Sequence, residues 1–235
     1  MTFQRLLSAL VVTSCVAMNT AAQADDCTVL HSFRGLVFDA GAVVAVNDME
    51  QHLDRALTYG VEKTVLYPND MAEEGNQPAD LEEVFPDLVI QGQAPWHDGA
   101  PVVWADNVME HGLLGLEKKL LEQPGQMFVL GNFTRFNLVQ VQRLLKNHRN
   151  LWIGFGRAEI DTLVESCATG EVAAFMRKAD GRVVFASSGG DMQWKNYKWT
   201  LRKLKKLSSY LSIKESDAFL FRNAEELFNI AVNAP

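Results

Sequence analysis

Histidine is scarce: five residues, at 31, 52, 97, 111 and 148, with no HxH, HxxxH or HExxH spacing among them. A zinc hydrolase needs three or more imidazole or carboxylate ligands around one ion and an open position for water, so no short motif announces such a site. GxSxG is missing too, as is a cysteine with an evident histidine base, which removes the local marks of nucleophilic catalysis. Positive charge is in deficit, 22 Lys and Arg against 29 Asp and Glu, and the net charge of −7 argues against nucleic acid or an anionic membrane surface as partner. Beyond Thr20 there is no second long apolar run, no low-complexity segment and no long charge run. These absences leave a single domain over 25–235, large enough to bury its own core.

What is present begins with a leader. Arg5, an apolar segment from Leu6 to about Met18, and Ala22-Gln23-Ala24 before Asp25 have the layout of a secretory signal peptide over 1–24. A membrane-spanning helix needs about 20 clean apolar residues, and Asn19 and Thr20 end this run early. Val12-Thr13-Ser14-Cys15 offers the alternative of a lipid-attachment box that keeps Cys15 as an anchor. The small-residue site before the acidic pair is the stronger signal, so the expectation is a periplasmic or secreted protein. Removal of the leader takes one arginine and no acid, moving the net charge from −7 to −8. Cys27 and Cys167 then remain, and in an oxidising compartment they are expected to form a disulfide, with two buried free thiols as the alternative.

Short apolar strands alternate with amphipathic helices along the rest of the chain. Strands are expected at 35–40, 61–68, 87–92, 101–105, 127–132, 151–156 and 183–188. Helices are expected at 47–59, within 79–85, at 113–122, 137–147 and 159–178, through Tyr197 and Leu201, and at 223–232. Repeated βα units mean a parallel sheet, either open and doubly wound or rolled toward a (β/α) barrel. Length tilts against a full barrel, which typically needs about 250 residues. In both architectures functional groups follow the carboxyl ends of strands. That directs attention to Asp39, Gly41, Asn69, Asp70, Gln93, Asn132, Arg157, Ser188 and Asp191, with His97 in a loop after the third strand. His52 and His148 sit on predicted helices and are expected at the surface. In LRKLKKL (201–207) the leucines fall at helical spacing with the lysines opposite, as on a solvated outer helix.

Several segments, taken in order, resemble the amidohydrolase-related family of metal-dependent hydrolases. FDAGAV (38–43) stands where that family has FDAHxH, and DRALTYGVEKTVLYP (54–68) resembles its next helix and strand. NHRNLWIGFGRAEI (147–160), GRVVFASSGGD (181–191) and FRNAEELF (221–228) resemble later family segments. The resemblance implies a (β/α) TIM-barrel-like fold of the amidohydrolase type, shortened or incomplete, with about seven parallel strands. It places the family's metal histidines on Gly41, Val43 and Asn132 and its last aspartate on Ser188, while Asp39, Arg157 and Asn223 match.

Glycine and valine carry no ligand atoms, and an amide with a hydroxyl cannot replace imidazole and carboxylate around a dication. The implied expectation is an exported, barrel-like protein that has lost metal-dependent hydrolase activity. It would hold no cofactor and bind an unidentified small molecule or exported protein through Asp39, His97, Asn132, Arg157, Ser188 and Asp191. Asp39 is expected to hold a turn by accepting backbone N–H groups. The alternative is a diverged hydrolase with zinc on other residues, such as His97, Asp98, Glu110, His111 and Asp191. A shortened wall closed by a second copy, as a homo-oligomer, or by another exported protein is the third expectation.

Overall fold

The computed structural model describes residues 27–33, 35–68, 89–91, 102–104, 112–187 and 196–233. The leader, Cys15, His97, Asp98, Glu110, His111, Ser188, Asp191 and the expected helix within 79–85 lie outside these residues.

The strands are β1 (Phe38–Val44), β2 (Lys63–Pro68), β3 (Val89–Gln91), β4 (Val102–Trp104), β5 (Met127–Leu130), β6 (Leu151–Phe155) and β7 (Val183–Phe185). The helices are α1 (Met49–Thr58), α2 (Gly112–Glu122), α3 (Leu138–Asn147), α4 (Arg157–Glu165), α5 (Gly170–Lys178), α6 (Tyr197–Ser208), α7 (Ile213–Asp217) and α8 (Asn223–Asn233), the last two joined by a π-turn, Ala218–Arg222. Among the described residues no helix is long and apolar enough to cross a membrane.

All strand pairs are parallel, but they form two separate sheets, β1-β2-β3 and β4-β5-β6-β7. This corrects the expected TIM-barrel-like, amidohydrolase-type wall. A barrel needs an unbroken hydrogen-bonded circuit with a consistent stagger, and the described ladder stops between β3 and β4 and again between β7 and β1. The edge strands β3, β4 and β7 are three residues each, so both sheets are small. The fold is mixed α/β with small open sheets.

The sheets nevertheless share one apolar face. Phe38, Ala40, Val65, Tyr67, Val129, Trp152 and Val184 pack into one buried cluster, covered by Ala224 and Leu227 of α8. The opposite face packs on the helices through a larger cluster that includes Leu130, Ile153, Phe155, Leu144 and Leu204. Burying each such side chain contributes about 1.5–3 kcal/mol. In β1 the pairing register with β2 shifts between Asp39 and Ala42. The shift is a bulge: Phe38 and Ala40 face the shared cluster before it, Val43 faces it afterwards, and Ala42 and Val44 pack toward α1.

Local chemistry explains the helix ends. Asn137 caps α3 by accepting from Val139 N at 3.0 Å and Gln140 N at 3.4 Å, satisfying two N–H groups with no partner inside the helix. The single helix expected over 159–178 is in fact two, α4 and α5. Cys167 and Ala168 between them take left-handed conformations, φ 52° and 55°, which cost each L-residue roughly 1–2 kcal/mol. Two bonds hold the break: the Cys27–Cys167 disulfide, with Cα atoms 5.3 Å apart, and Arg177 Nη1 donating to Ala168 O at 3.1 Å. The disulfide, Leu30 N on Ser209 O and the His31 ring on Leu211 O fasten the N-terminal arm to the body.

His52 and His148 are buried, 1% and 8% exposed, rather than at the surface. The expected helical periods placed them on helices and could not say which neighbours would cover them. α6 does bury Tyr197, Leu201, Leu204 and Leu207, with Arg202 and Lys206 on its exposed side.

Candidate functional site

Asp39 is the natural starting point because it is an ionisable group, fully buried and on the first strand. The bulge lets Oδ1 accept from Gly41 N at 3.2 Å. The same oxygen accepts from Ser187 N at 2.8 Å, two residues past the end of β7, and Oδ2 accepts from Tyr197 Oη at 3.0 Å. One carboxylate thus joins β1, the exit of β7 and the start of α6. Burial pushes the Asp39 pKa up, and the bonds from Ser187, Gly41 and Tyr197 pull against that rise. The Tyr197 phenol is pushed well above its usual range by burial and by the adjoining Asp39 charge.

Around this knot the polar groups are less well served. The His52 ring lies 4.5 Å from the Tyr197 ring, and neither imidazole nitrogen has a partner among the described residues. Burial, with Arg55 adding repulsion, pushes its pKa down to about 4, so the ring is neutral at pH 7. Thr64 stands directly opposite Asp39 in the β1–β2 register, and its buried hydroxyl is likewise unpartnered among the described residues.

A second group of residues follows the carboxyl ends of β5 and β6. Asn132 leaves β5 in a left-handed conformation, φ 45°, which asparagine tolerates better than most residues. Arg157 opens α4, half exposed, with Nε 3.9 Å from Asp161 Oδ2, while Lys203 Nζ lies 2.5 Å from Asp161 Oδ1. Glu159 is fully buried. It accepts from Thr134 Oγ1 at 2.8 Å and Gly156 N at 3.2 Å, tying the β5 exit to the start of α4.

Asp39 is thus tied to Gly41, Ser187 and Tyr197, whereas Arg157 faces Asp161 on its own helix. Gly41 is buried in the bulge, and Val43 packs against the shared apolar face. Among the described residues no group of three His, Cys, Asp or Glu side chains converges as metal ligands would. A cation would also have to compete for the Asp39 oxygens with three protein donors.

Sequence reading missed His52 and Glu159 as buried polar groups, and it set Tyr197 on the apolar face of its helix without its Asp39 partner. Only Glu159 left a local trace, a carboxylate three residues into a helix that can reach back to the Gly156 N–H, which is the half of a capping box a glycine N-cap allows. His52 and Tyr197 meet across 145 positions of chain, a contact no local pattern encodes. Set beside known proteins, the chain matches no family model, no curated protein and no solved structure.

Proposed function

We propose that this is an exported binding or interaction protein in which the position of a metal-dependent hydrolase site has become a structural tie. One observation carries the reading: the Asp39 carboxylate is wholly buried and engaged by Gly41 N, Ser187 N and Tyr197 Oη. A metal ligand or general base must present a lone pair to an ion, water or substrate, and these oxygens are turned toward protein donors instead. The sequence words shared with amidohydrolase-related proteins add support, because the residues at their histidine positions, Gly41 and Val43, have no donor atoms. The leader-like first 24 residues support export, and the Cys27–Cys167 disulfide agrees with an oxidising compartment.

The test is elemental analysis of the purified mature chain after chelator washing and reloading with zinc or manganese, with hydrolase assays on amide and ester substrates. The expected result is metal well below one equivalent and no activity that follows the metal. Stoichiometric metal with chelator-sensitive hydrolysis would overturn the proposal.

A further inference from the structure

We infer that the cleft at the amino ends of β6 and β7 is a binding site for a small phosphate-bearing anion. The cleft has a volume of about 370 Å³, within the range of small-molecule sites. Arg143 and Lys146 of α3, Arg149 before β6, Lys178 at the end of α5, and Asp180 and Arg182 before β7 line it. Five cations from separate stretches of chain thus converge against one carboxylate, in a protein whose net charge is −7.

Their pairing shows where unspent charge lies. Arg143 engages Glu117 at 3.1 Å, and Arg149 engages Asp180 at 3.4 Å with both side chains largely in solvent, where such a pair contributes little. Lys146 and Lys178 have no carboxylate within 4.0 Å among the described residues.

Arg182 is the independent observation. It is only 9% exposed, and its terminal nitrogens donate to the carbonyls of Leu145, His148 and Leu151. Those bonds fix the guanidinium plane at the end of α3, yet Nε has no partner among the described residues. An unpaired buried donor in a charged group is costly. Burial and, after it, the Arg149 charge push the Arg182 pKa down, with Asp180 opposing.

A solvated basic face looks different, and this protein has one for contrast. On α6, Lys198, Arg202 and Lys206 follow one helix and lie over the rings of Tyr59, Trp199 and Tyr210. Several donors from different elements around a small volume suit a multivalent tetrahedral oxyanion, which can accept from all of them. A neutral or apolar ligand would leave those donors desolvated and unpaired. The site is remote in sequence from Asp39 and lies at the opposite ends of β6 and β7 from Arg157 and Ser187, so it stands whether or not Asp39 has lost a metal.

The experiment is calorimetric titration of the full mature chain with inorganic pyrophosphate at constant ionic strength. The native protein is expected to bind one equivalent saturably. The double variant K146Q/K178Q should bind at least tenfold more weakly, and K198Q/R202Q, with the same charge change, should bind as the native chain does. Lys146, Lys178 and Arg202 are exposed and Lys198 is half-buried, and circular dichroism should show unchanged folds. Absence of saturable binding to the native chain, or equal weakening in both variants, would overturn the inference. Vesicles containing phosphatidylglycerol separate two sources of the phosphate. Binding to them that pyrophosphate competes away and K146Q/K178Q loses would identify a lipid headgroup, whereas pyrophosphate binding without vesicle binding would identify a soluble phosphate compound.

Discussion

The two sheets treat their buried polar groups in opposite ways. Around β6 and β7, Asn150 Nδ2 faces the carbonyls of Leu120, Gln123 and Gln126, and Asn223 Nδ2 donates to Val183 O. Arg182 closes the end of α3 in the same manner. These groups end on backbone and finish helices and strands. Around β1 and β2, Asp39 ends on residues 148 and 158 positions away, Ser187 and Tyr197, while His52 and Thr64 have no described partner. The groups of the second sheet end on carbonyls 24 to 40 positions away and leave Arg182 Nε without a partner among the described residues, whereas the first sheet depends on one longer tie beside two side chains with no described hydrogen-bond partner at all.

Cutting the disulfide that fastens the N-terminal arm to the α4–α5 break should have the largest effect. The disulfide closes a loop of 140 residues, and chain-entropy reasoning gives such a closure about 5 kcal/mol. The C27S/C167S variant should therefore unfold in urea at a much lower midpoint.

Breaking the tie itself comes next. Asp39→Ala should cost about 3–4 kcal/mol, because Ser187 N, Gly41 N and Tyr197 Oη would stay buried without an acceptor. Asp39→Asn keeps an acceptor oxygen and should cost about 1–2 kcal/mol. If both variants unfold like the native chain, the first sheet does not depend on Asp39.

The unpartnered histidine gives a pH test of the same region. The His52 pKa falls from 6.5 to about 4 on folding, so the unfolded chain takes up a proton first and stability is lost as pH falls from 6.5 toward 4. A shift of that size corresponds to about 3 kcal/mol. Asp39 acts with the opposite sign: its pKa is raised in the folded state, so lowering the pH favours the folded form at that group. His52→Phe should flatten the acid limb between pH 6.5 and 4 in a series of denaturation curves, leaving the opposing Asp39 contribution visible.

On the surface of the second sheet the expected effect is smallest. Arg149→Ala removes an ion pair whose side chains are 83% and 75% exposed, and should change stability by less than about 0.5 kcal/mol.

How far each feature could be read from sequence follows the same division. Helix α3 was legible because Asn137 and the Val141, Leu144, Leu145 spacing are local. The break between α4 and α5 was not, since Cys167 and Ala168 hold left-handed conformations through a partner 140 residues away. Alternation predicted parallel pairing, but period and composition do not encode which edge strands meet, and the expected barrel wall rested on that closure. Asp39 was expected to hold a turn at a strand end by accepting backbone N–H groups, and it instead lies buried near the start of β1, where it does accept from Gly41 N and Ser187 N. Its partners Ser187 and Tyr197 could not be read there, because neither follows from the spacing of FDAGAV (38–43).

Thermal unfolding of the native and Asp39→Asn chains, each with and without excess zinc after chelator treatment, tests the central claim most directly. The account predicts that Asp39→Asn lowers the Tm and that zinc leaves both Tm values where they were. A zinc-dependent rise in the native Tm that Asp39→Asn abolishes would contradict it, since ligands that bind only the folded state raise stability by mass action, and would make Asp39 a metal ligand.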